Sequence, residues 1–330
     1  MKKKVVLVTG YAGFIGYHLT KKLISENNIK TIYAIDNFNN YYDKSLKVNR
    51  HKDLVKIDIN KKCQFLKFDI KNFKKLSMSF KSKIDCIFHL AAQAGINYSL
   101  ENPKAYLDSN IIGFYNILEF IKSKKVQNLI YASTSSVYGN NSGKKIGEND
   151  NTSNPLQLYS ASKVANEVMA NAYSNLYNFN SIGLRFFTVY GPWGRPDMAI
   201  YKFTKNIINK KNIYLNKINS KYVLRDFTYI DDVIKCIILV FNSLNKKKQT
   251  EIYNIGNGNP VNIKNILNII QSELELNAKI KIKKLASSEM NSTFCDISKF
   301  LKKFSFRPDT NIENGIKSFI DWYKKYHIKN

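Results

Sequence analysis

The chain has 330 residues, 44% of them hydrophobic and 13% aromatic, so it can bury a sizeable core and does not have the composition of a disordered chain. No apolar run approaches the roughly 20 residues of a membrane span; the Cys236–Phe241 stretch is core-sized. Basic residues outnumber acidic ones 52 to 25, giving +27, but only five are arginine and no basic run exceeds KKK, so dispersed lysine is expected rather than a nucleic-acid face.

Three lysines before an apolar stretch imitate a secretory leader. Gly10, Gly13 and Gly16 interrupt that stretch, so no leader is expected. Lys4–Thr9 (KVVLVT) instead predicts a buried strand, short, β-branched and closed by glycine. A helical period follows over Phe14–Glu26, then a second strand at Thr31–Asp36. Residues 37–60 are polar and asparagine-rich and show no clear pattern. Gln64–Phe68, Asp85–Leu90, Asn128–Ala132 and Ser181–Phe186 read as further strands, with helices at Tyr106–Lys122 and Ser160–Tyr177. This alternation predicts an α/β fold with a doubly wound parallel sheet covered on both faces. Beyond it, strand-like Ile213–Leu215 and Tyr253–Ile255 lie among helices Ile200–Lys210, Asp231–Ser243, Ile263–Leu274 and Ile312–Tyr326. The expected division is a Rossmann-type domain over 1–184 and a smaller α/β lobe over 185–330, partly interleaved with it. Cys63, Cys86, Cys236 and Cys295 are widely spaced without a CxxC, as expected of free thiols in a reducing cytoplasm.

Gly10-Tyr-Ala-Gly13-Phe-Ile-Gly16 follows the first strand and opens a helix. Glycines there let backbone approach a pyrophosphate, and a helix N-terminus offers free N–H groups and partial positive charge. Asp36 closes the second strand, 20 residues after Gly16. A carboxylate at that point accepts hydrogen bonds from an adenosine ribose and repels a 2′-phosphate. With no arginine close in sequence to take such a phosphate, the expected cofactor is NAD rather than NADP.

Tyr159 and Lys163 are four residues apart on a predicted helix, hence on one face. A tyrosine is a poor base at neutral pH until a neighbouring ammonium stabilises its phenolate. Ser133, Thr134, Ser135 and Ser136 end the fifth strand, where hydroxyls face the ligand crevice of an open α/β sheet. His89 is expected to be a packed strand-end residue. His18, His51 and His327 are scattered, so no metal site is expected.

These segments resemble the extended short-chain dehydrogenase/reductase family of nucleotide-sugar epimerases and dehydratases. The likeness runs nearly end to end, through VLVTGYAGFIG, FHLAAQAGINYSLENP, YASTSSVYG, YSASK, LRFFTVYGPWGRPDMA, RDFTYIDD and YNIGNGNPVNI. LAAQAGINYSLENPKAYLDSN and RFFTVYGPWGRPDMA are most similar to the branch that epimerises UDP-glucuronate at C4. The resemblance implies Thr134, Tyr159 and Lys163 as catalytic residues. It implies that NAD is held by Gly10, Gly13, Phe14, Ile15, Gly16, Asp36, Asn37, Asp69, Ile70, Leu90, Ala91, Ala92, Asn110, Ser133, Tyr159, Lys163, Phe186 and Val189. For a UDP-sugar substrate it implies Thr134, Ser135, Ser136, Thr188, Arg195, Arg225 and Glu289, with Asn97 or Tyr98 as further sugar contacts. A homodimer through the helices Tyr106–Lys122 and Ser160–Tyr177, with apolar outer faces, is also implied.

Dehydratases of the family carry an Asp-Glu pair just after the catalytic threonine, where this chain has Ser135 and Ser136. The expected reaction is therefore interconversion of UDP-glucuronate and UDP-galacturonate through a 4-keto intermediate, with the hydroxyls and Thr188 holding the carboxylate. UDP-glucose or UDP-N-acetylhexosamine(uronate) epimerases, a UDP-glucuronate decarboxylase and a non-catalytic NAD-binding regulator are the alternatives. The family's QPGDV-like turn is replaced by Ala286–Asn291, which lacks both Pro and Gly, so a different turn is expected around Glu289.

Overall fold

The computed structural model describes residues 3–140, 144–218, 220–244 and 248–327. In chain order the first elements are β1 (Lys4–Thr9), α1 (Phe14–Ser25), β2 (Ile29–Asp36), α2 (Lys44–Ile57), β3 (Cys63–Lys67), α3 (Phe73–Met78) and β4 (Cys86–His89). Then come α4 (Tyr98–Glu101), α5 (Pro103–Tyr106), a π-helical turn (Leu107–Ile112), α6 (Gly113–Lys124), β5 (Asn128–Thr134), α7 (Leu158–Tyr177) and β6 (Asn180–Phe186). The remainder is β7 (Thr188–Tyr190), α8 (Ala199–Ile208), β8 (Asn212–Ile218), β9 (Lys221–Tyr222), β10 (Leu224–Tyr229) and α9 (Ile230–Ser243). It continues with β11 (Thr250–Ile255), β12 (Pro260–Asn262), α10 (Ile263–Leu274), β13 (Lys279–Lys284), α11 (Ser298–Phe304) and α12 (Ile312–His327).

These elements form two compact units, and the division is not a single cut. The first comprises 1–137, 157–185 and 237–253; the second comprises 138–156, 186–236 and 254–330. A seven-stranded sheet, ordered β11-β6-β5-β4-β1-β2-β3, organises the first unit. Its β1–β2, β1–β4, β2–β3 and β4–β5 pairs are parallel. Parallel strands need crossovers, which α1 supplies between β1 and β2 and α2 between β2 and β3. Helices on both faces bury the strands: β6 is buried at every position and β1 at all but its first. The core beneath joins Leu7, Ile35 and Ile87 on strands to Phe114, Ile117 and Ile121 on α6.

The strand order places β1 between β2 and β4, so the C-terminal ends of all three lie side by side. Here the strand order reverses, and open α/β folds bind ligands at such a point.

The second unit has two three-stranded sheets, β12-β10-β7 and β13-β8-β9. Its core draws on Ile213 and Leu215 of β8, Ile266 and Ile270 of α10, and Phe319 and Ile320 of α12. Among the described residues, no helix is long and apolar enough to cross a membrane. The four cysteines are free, and three of them are buried.

Two expectations fail. Residues 37–60 are not patternless, for they contain α2, whose buried face is Leu46, Lys47, Arg50 and Leu54. Two of those four are charged, which hides the face from any hydrophobic period. The predicted Tyr106–Lys122 helix is interrupted, with a π turn over Leu107–Ile112 between α5 and α6.

Candidate active site

The β1–α1 loop in the first unit is built by close backbone contact. Gly10 has φ +76° and donates its N–H to the Ile35 carbonyl at 2.7 Å. A side chain there would meet the Ala91 nitrogen at 2.7 Å, and one at Gly16 would lie 2.0 Å from the Gly10 oxygen. Gly13 is the N-cap of α1, and no side chain caps it. The helix therefore presents Phe14, Ile15 and Gly16 at an end where N–H groups have no intrahelical acceptor.

Asp36 closes the other side of this loop. Its carboxylate is buried and accepts the N–H groups of Phe38 (2.7 Å) and Ala12 (3.2 Å). Burial raises its pKa, opposed by Lys47, by those two N–H groups and by Arg50. Arg50 corrects the expectation that no arginine lies nearby. It is fully buried on α2, donating to the Ala12 carbonyl (2.9 Å) and to the Tyr42 hydroxyl (2.8 Å). Its guanidinium braces the loop from within the fold. Lys47, also buried, donates to Asn39.

The neighbouring strand ends supply the next group of predicted residues. Asn37 donates to the Asp69 carboxylate at 3.0 Å, and Ile70 packs against Gly113. Leu90 donates to the Thr9 carbonyl, and the Ala91 N–H reaches the Thr9 hydroxyl, which fixes Leu90 and Ala91 beside Gly10, with Ala92 next in the chain. Asn110, in the π turn, is buried and bonds both the N–H and the carbonyl of Gln93 and the hydroxyl of Ser162 on α7. Its own carbonyl accepts from Asn166. The π turn thus serves as a bolt between the loop after β4 and α7, in keeping with the frequent use of such turns at functional sites.

Tyr159 and Lys163 lie in the first turns of α7. The Tyr159 ring meets that of Tyr106 edge-on at 6.0 Å. Tyr106 donates its hydroxyl to the Ala94 and Gly95 carbonyls, so it also holds the loop that carries Asn97 and Tyr98. Lys163 is buried and donates to the Ala132 carbonyl of β5 at 2.9 Å. Burial lowers its pKa to about 8, against the pull of Glu167. His89, sharing a hydrogen bond with Thr9, is held near pKa 3 by burial and then by Lys163, so it is a neutral packing residue.

Thr134, Ser135 and Ser136 are all buried where β5 ends. The Thr134 hydroxyl donates to Ser136 Oγ at 3.3 Å and accepts the Ser136 N–H. Ser133 differs from its neighbours, for its hydroxyl turns into the fold and donates to Glu167 at 2.5 Å. Glu167 in turn is paired bidentately with Arg185 of β6, at 2.9 and 2.7 Å. The sequence reading missed this buried group, although Glu167 stands one further helical turn beyond Tyr159 and Lys163.

In the second unit Phe186 and Val189 are buried. Thr188 and Arg195 line one pocket with Tyr190, Tyr201 and Phe227. Arg195 forms a two-point ion pair with Asp197. Arg225 donates to the Met290 (2.9 Å) and Asn291 (3.3 Å) carbonyls and lies 3.7 Å from the Glu289 carboxylate. Glu289 also accepts from Asn216 of β8 at 3.3 Å. The turn without Pro or Gly is therefore closed by the Glu289 N–H to Ala286 bond and gripped by an arginine. Asn216 was not singled out from sequence, and it is the residue that ties β8 to this turn.

Residues 6–256 match the NAD dependent epimerase/dehydratase family. The chain belongs to that family. Protein CapI of Staphylococcus aureus is 42% identical, covering 98% of this chain and 99% of its own length. UDP-glucuronate 4-epimerase 4 of Arabidopsis thaliana is 39% identical over 98% of this chain and 76% of its own. The crystal structure of UDP-glucuronic acid 4-epimerase from Bacillus cereus, in complex with UDP-glucuronic acid and NAD, superposes with a TM-score of 0.89. It is 31% identical and covers 98% of this chain and all of the other.

As a member of this family the chain uses NAD, and its residues fit that cofactor. Side chains at Gly10 and Gly16 would collide with the backbone of Ala91 and Gly10, so the glycines hold the loop tight against the uncapped α1 N-terminus. Asp36 offers buried carboxylate oxygens at the end of β2, where an adenosine ribose is expected. Among the described residues no group of three or more His, Cys, Asp and Glu side chains could hold a metal ion.

Proposed function

We propose that this protein interconverts UDP-glucuronate and UDP-galacturonate. It is an NAD-dependent nucleotide-sugar 4-epimerase, an isomerase; the uronic acid is the part that is proposed. The observation that carries the choice is the trio Thr134, Ser135 and Ser136, all hydroxyls and all buried at the end of β5. The UDP-glucuronic acid 4-epimerase of Bacillus cereus, crystallised with UDP-glucuronic acid, supports it through its likeness over nearly the whole chain.

When bound, NAD supplies a reversible hydride acceptor for C4 of the sugar. The residues of this chain do the rest. Tyr159 takes the O4 proton and later returns it, Thr134 hydrogen-bonds O4, and Lys163 stabilises the phenolate with its charge. Between these events the 4-keto sugar must turn about its pyrophosphate link, so the nucleotide needs firm anchoring and the sugar loose anchoring. Arg225, Glu289 and Asn216 are assigned to the nucleotide, and Thr188 and Arg195, sharing one pocket, to the pyrophosphate and sugar. A 4-keto uronate is a β-keto acid and loses CO2 readily. Hydroxyl donors from Ser135 and Ser136 hold the carboxylate without supplying an acid that would promote its departure.

Proton NMR of the sugar ring during incubation with UDP-glucuronate tests this reading. UDP-galacturonate without CO2 release is expected. UDP-xylose or UDP-arabinose would make the protein a decarboxylase, and turnover of UDP-glucose or UDP-N-acetylglucosamine alone would replace the uronic acid. We propose a homodimer as well, because Leu107, Ile112, Tyr115, Val168, Leu176 and Tyr177 expose apolar surface on the π turn, α6 and α7.

A further inference from the structure

The chemistry of Tyr159 needs a charged Lys163, yet the structure buries that lysine to 2% exposure. Burial favours the neutral amine and would remove the charge the phenolate depends on. Its neighbours therefore decide its state. Ala132 of β5 contributes a carbonyl acceptor. His89 of β4 is neutral at working pH, and Tyr131 of β5 is a buried phenol held in its neutral form by burial. Tyr159 and Glu167 flank Lys163 on its own helix, one turn to either side. Arg185 on β6 is engaged with Glu167. Of the charged groups among these, Glu167 is the one whose charge favours the ammonium.

We propose that Glu167, seated by Arg185 and Ser133, is a positioning residue of the reaction whose carboxylate keeps Lys163 in the ammonium form beside Tyr159. The geometry is built for a fixed carboxylate. Both oxygens are held by the Arg185 fork and one also by Ser133, with 5% and 6% of the Arg185 and Glu167 side chains exposed. An ion pair needed only for packing could be replaced as a whole by well-fitting apolar side chains at little cost or with a gain. A carboxylate one helical turn from a buried ammonium has an electrostatic effect that such a replacement lacks. Arg185 moderates this effect, so the pair sets the Lys163 pKa between that of an exposed lysine and that of one buried alone. The inference rests on the assignment of Tyr159 and Lys163 to the reaction.

The test is the pH profile of kcat/KM with UDP-glucuronate, or with UDP-glucose if only that sugar is turned over. Glu167→Gln is expected to move the alkaline limb down by about one pH unit. Arg185→Gln is expected to move it up, and a merely structural role predicts no opposite pair of shifts. Each single variant strands a buried charge and can fail to fold. The double variant Glu167→Gln/Arg185→Gln strands none and is expected to keep the downward shift. A second readout needs no turnover. In NAD-loaded protein carrying ¹³C-lysine, the resonance lost in Lys163→Arg should titrate below an ordinary lysine, and lower still in the double variant. An unmoved limb and an unmoved resonance in the double variant would overturn the proposal. Near-normal turnover by Tyr159→Phe or Lys163→Met would overturn the catalytic assignment itself, which is a separate and distinguishable failure.

Discussion

In the proposed mechanism a single phenol and a single ammonium carry the proton chemistry, and each gives a sharp expectation. Tyr159→Phe removes the group that exchanges the O4 proton, so turnover should fall by roughly 10²–10⁴ while bound NAD is retained. Steady-state kinetics beside the cofactor absorbance of the denatured protein check both halves. Lys163→Met should lower turnover by a similar factor without lowering the melting temperature at pH 7. The sign follows from linkage. Burial lowers the Lys163 pKa to about 8, from 10.5 for an ordinary lysine. The unfolded chain therefore binds the extra proton between those values, and the stability contribution of this lysine rises with pH across that window. Below it the fold bears the cost of a buried ammonium. Removing that ammonium relieves the cost, even though the Ala132 carbonyl loses a donor. A melting temperature that fell sharply in Lys163→Met would show the lysine to be a structural strut.

At the scale of elements, the site is made by strand ends and helix starts held in register. The β1–α1 loop closes only because its glycines let backbone lie against backbone. Gly16→Ala places a methyl 2.0 Å from the Gly10 oxygen, so the loop must move. The expected result is loss of NAD, read by calorimetric titration, with less harm to the melting temperature of the cofactor-free protein. α2 illustrates what sequence patterns cannot show. Its Lys47 and Arg50 are buried with Asn39, Ala12 and Tyr42 accepting from them, and those partners become adjacent only after the chain has folded. The π turn is similar, for Asn110 reads as an ordinary polar residue until its bonds to Gln93 and Ser162 are seen.

For the molecule as a whole, the proposed reaction assigns the nucleotide to Arg225 and its turn. Arg225→Ala should weaken binding of the UDP-sugar by about 10–100-fold, since a charge-assisted contact contributes about 1.5–3 kcal/mol, while NAD affinity stays unchanged. Loss of both affinities together would mean that the turn at Glu289–Asn291, which Arg225 also grips, had collapsed. The exposed apolar residues on the π turn, α6 and α7 predict a dimer at micromolar concentration by light scattering. Introducing lysine at Val168, which is 64% exposed, should weaken that dimer without unfolding the subunit.

The sequence alone determined the alternation of strands and helices, the glycine loop with Asp36, and the Tyr159–Lys163 spacing. Each of these is local: a periodicity, a backbone requirement, or two positions one helical turn apart. Thus α10 runs over the predicted Ile263–Leu274, and β6 differs from Ser181–Phe186 by one residue. Contacts between distant segments were decided by the tertiary structure. Ser133 stands with Thr134 at the end of β5, where hydroxyls were expected to face the ligand crevice, and successive residues of a strand point to opposite faces. Its hydroxyl therefore faces Glu167, 34 residues away, which Arg185 has already anchored. Arg50 reached the Asp36 loop, and Asn216 reached Glu289, by the same kind of long-range closure. A buried polar group must find its partner wherever the fold brings one, and sequence spacing holds no record of that partner.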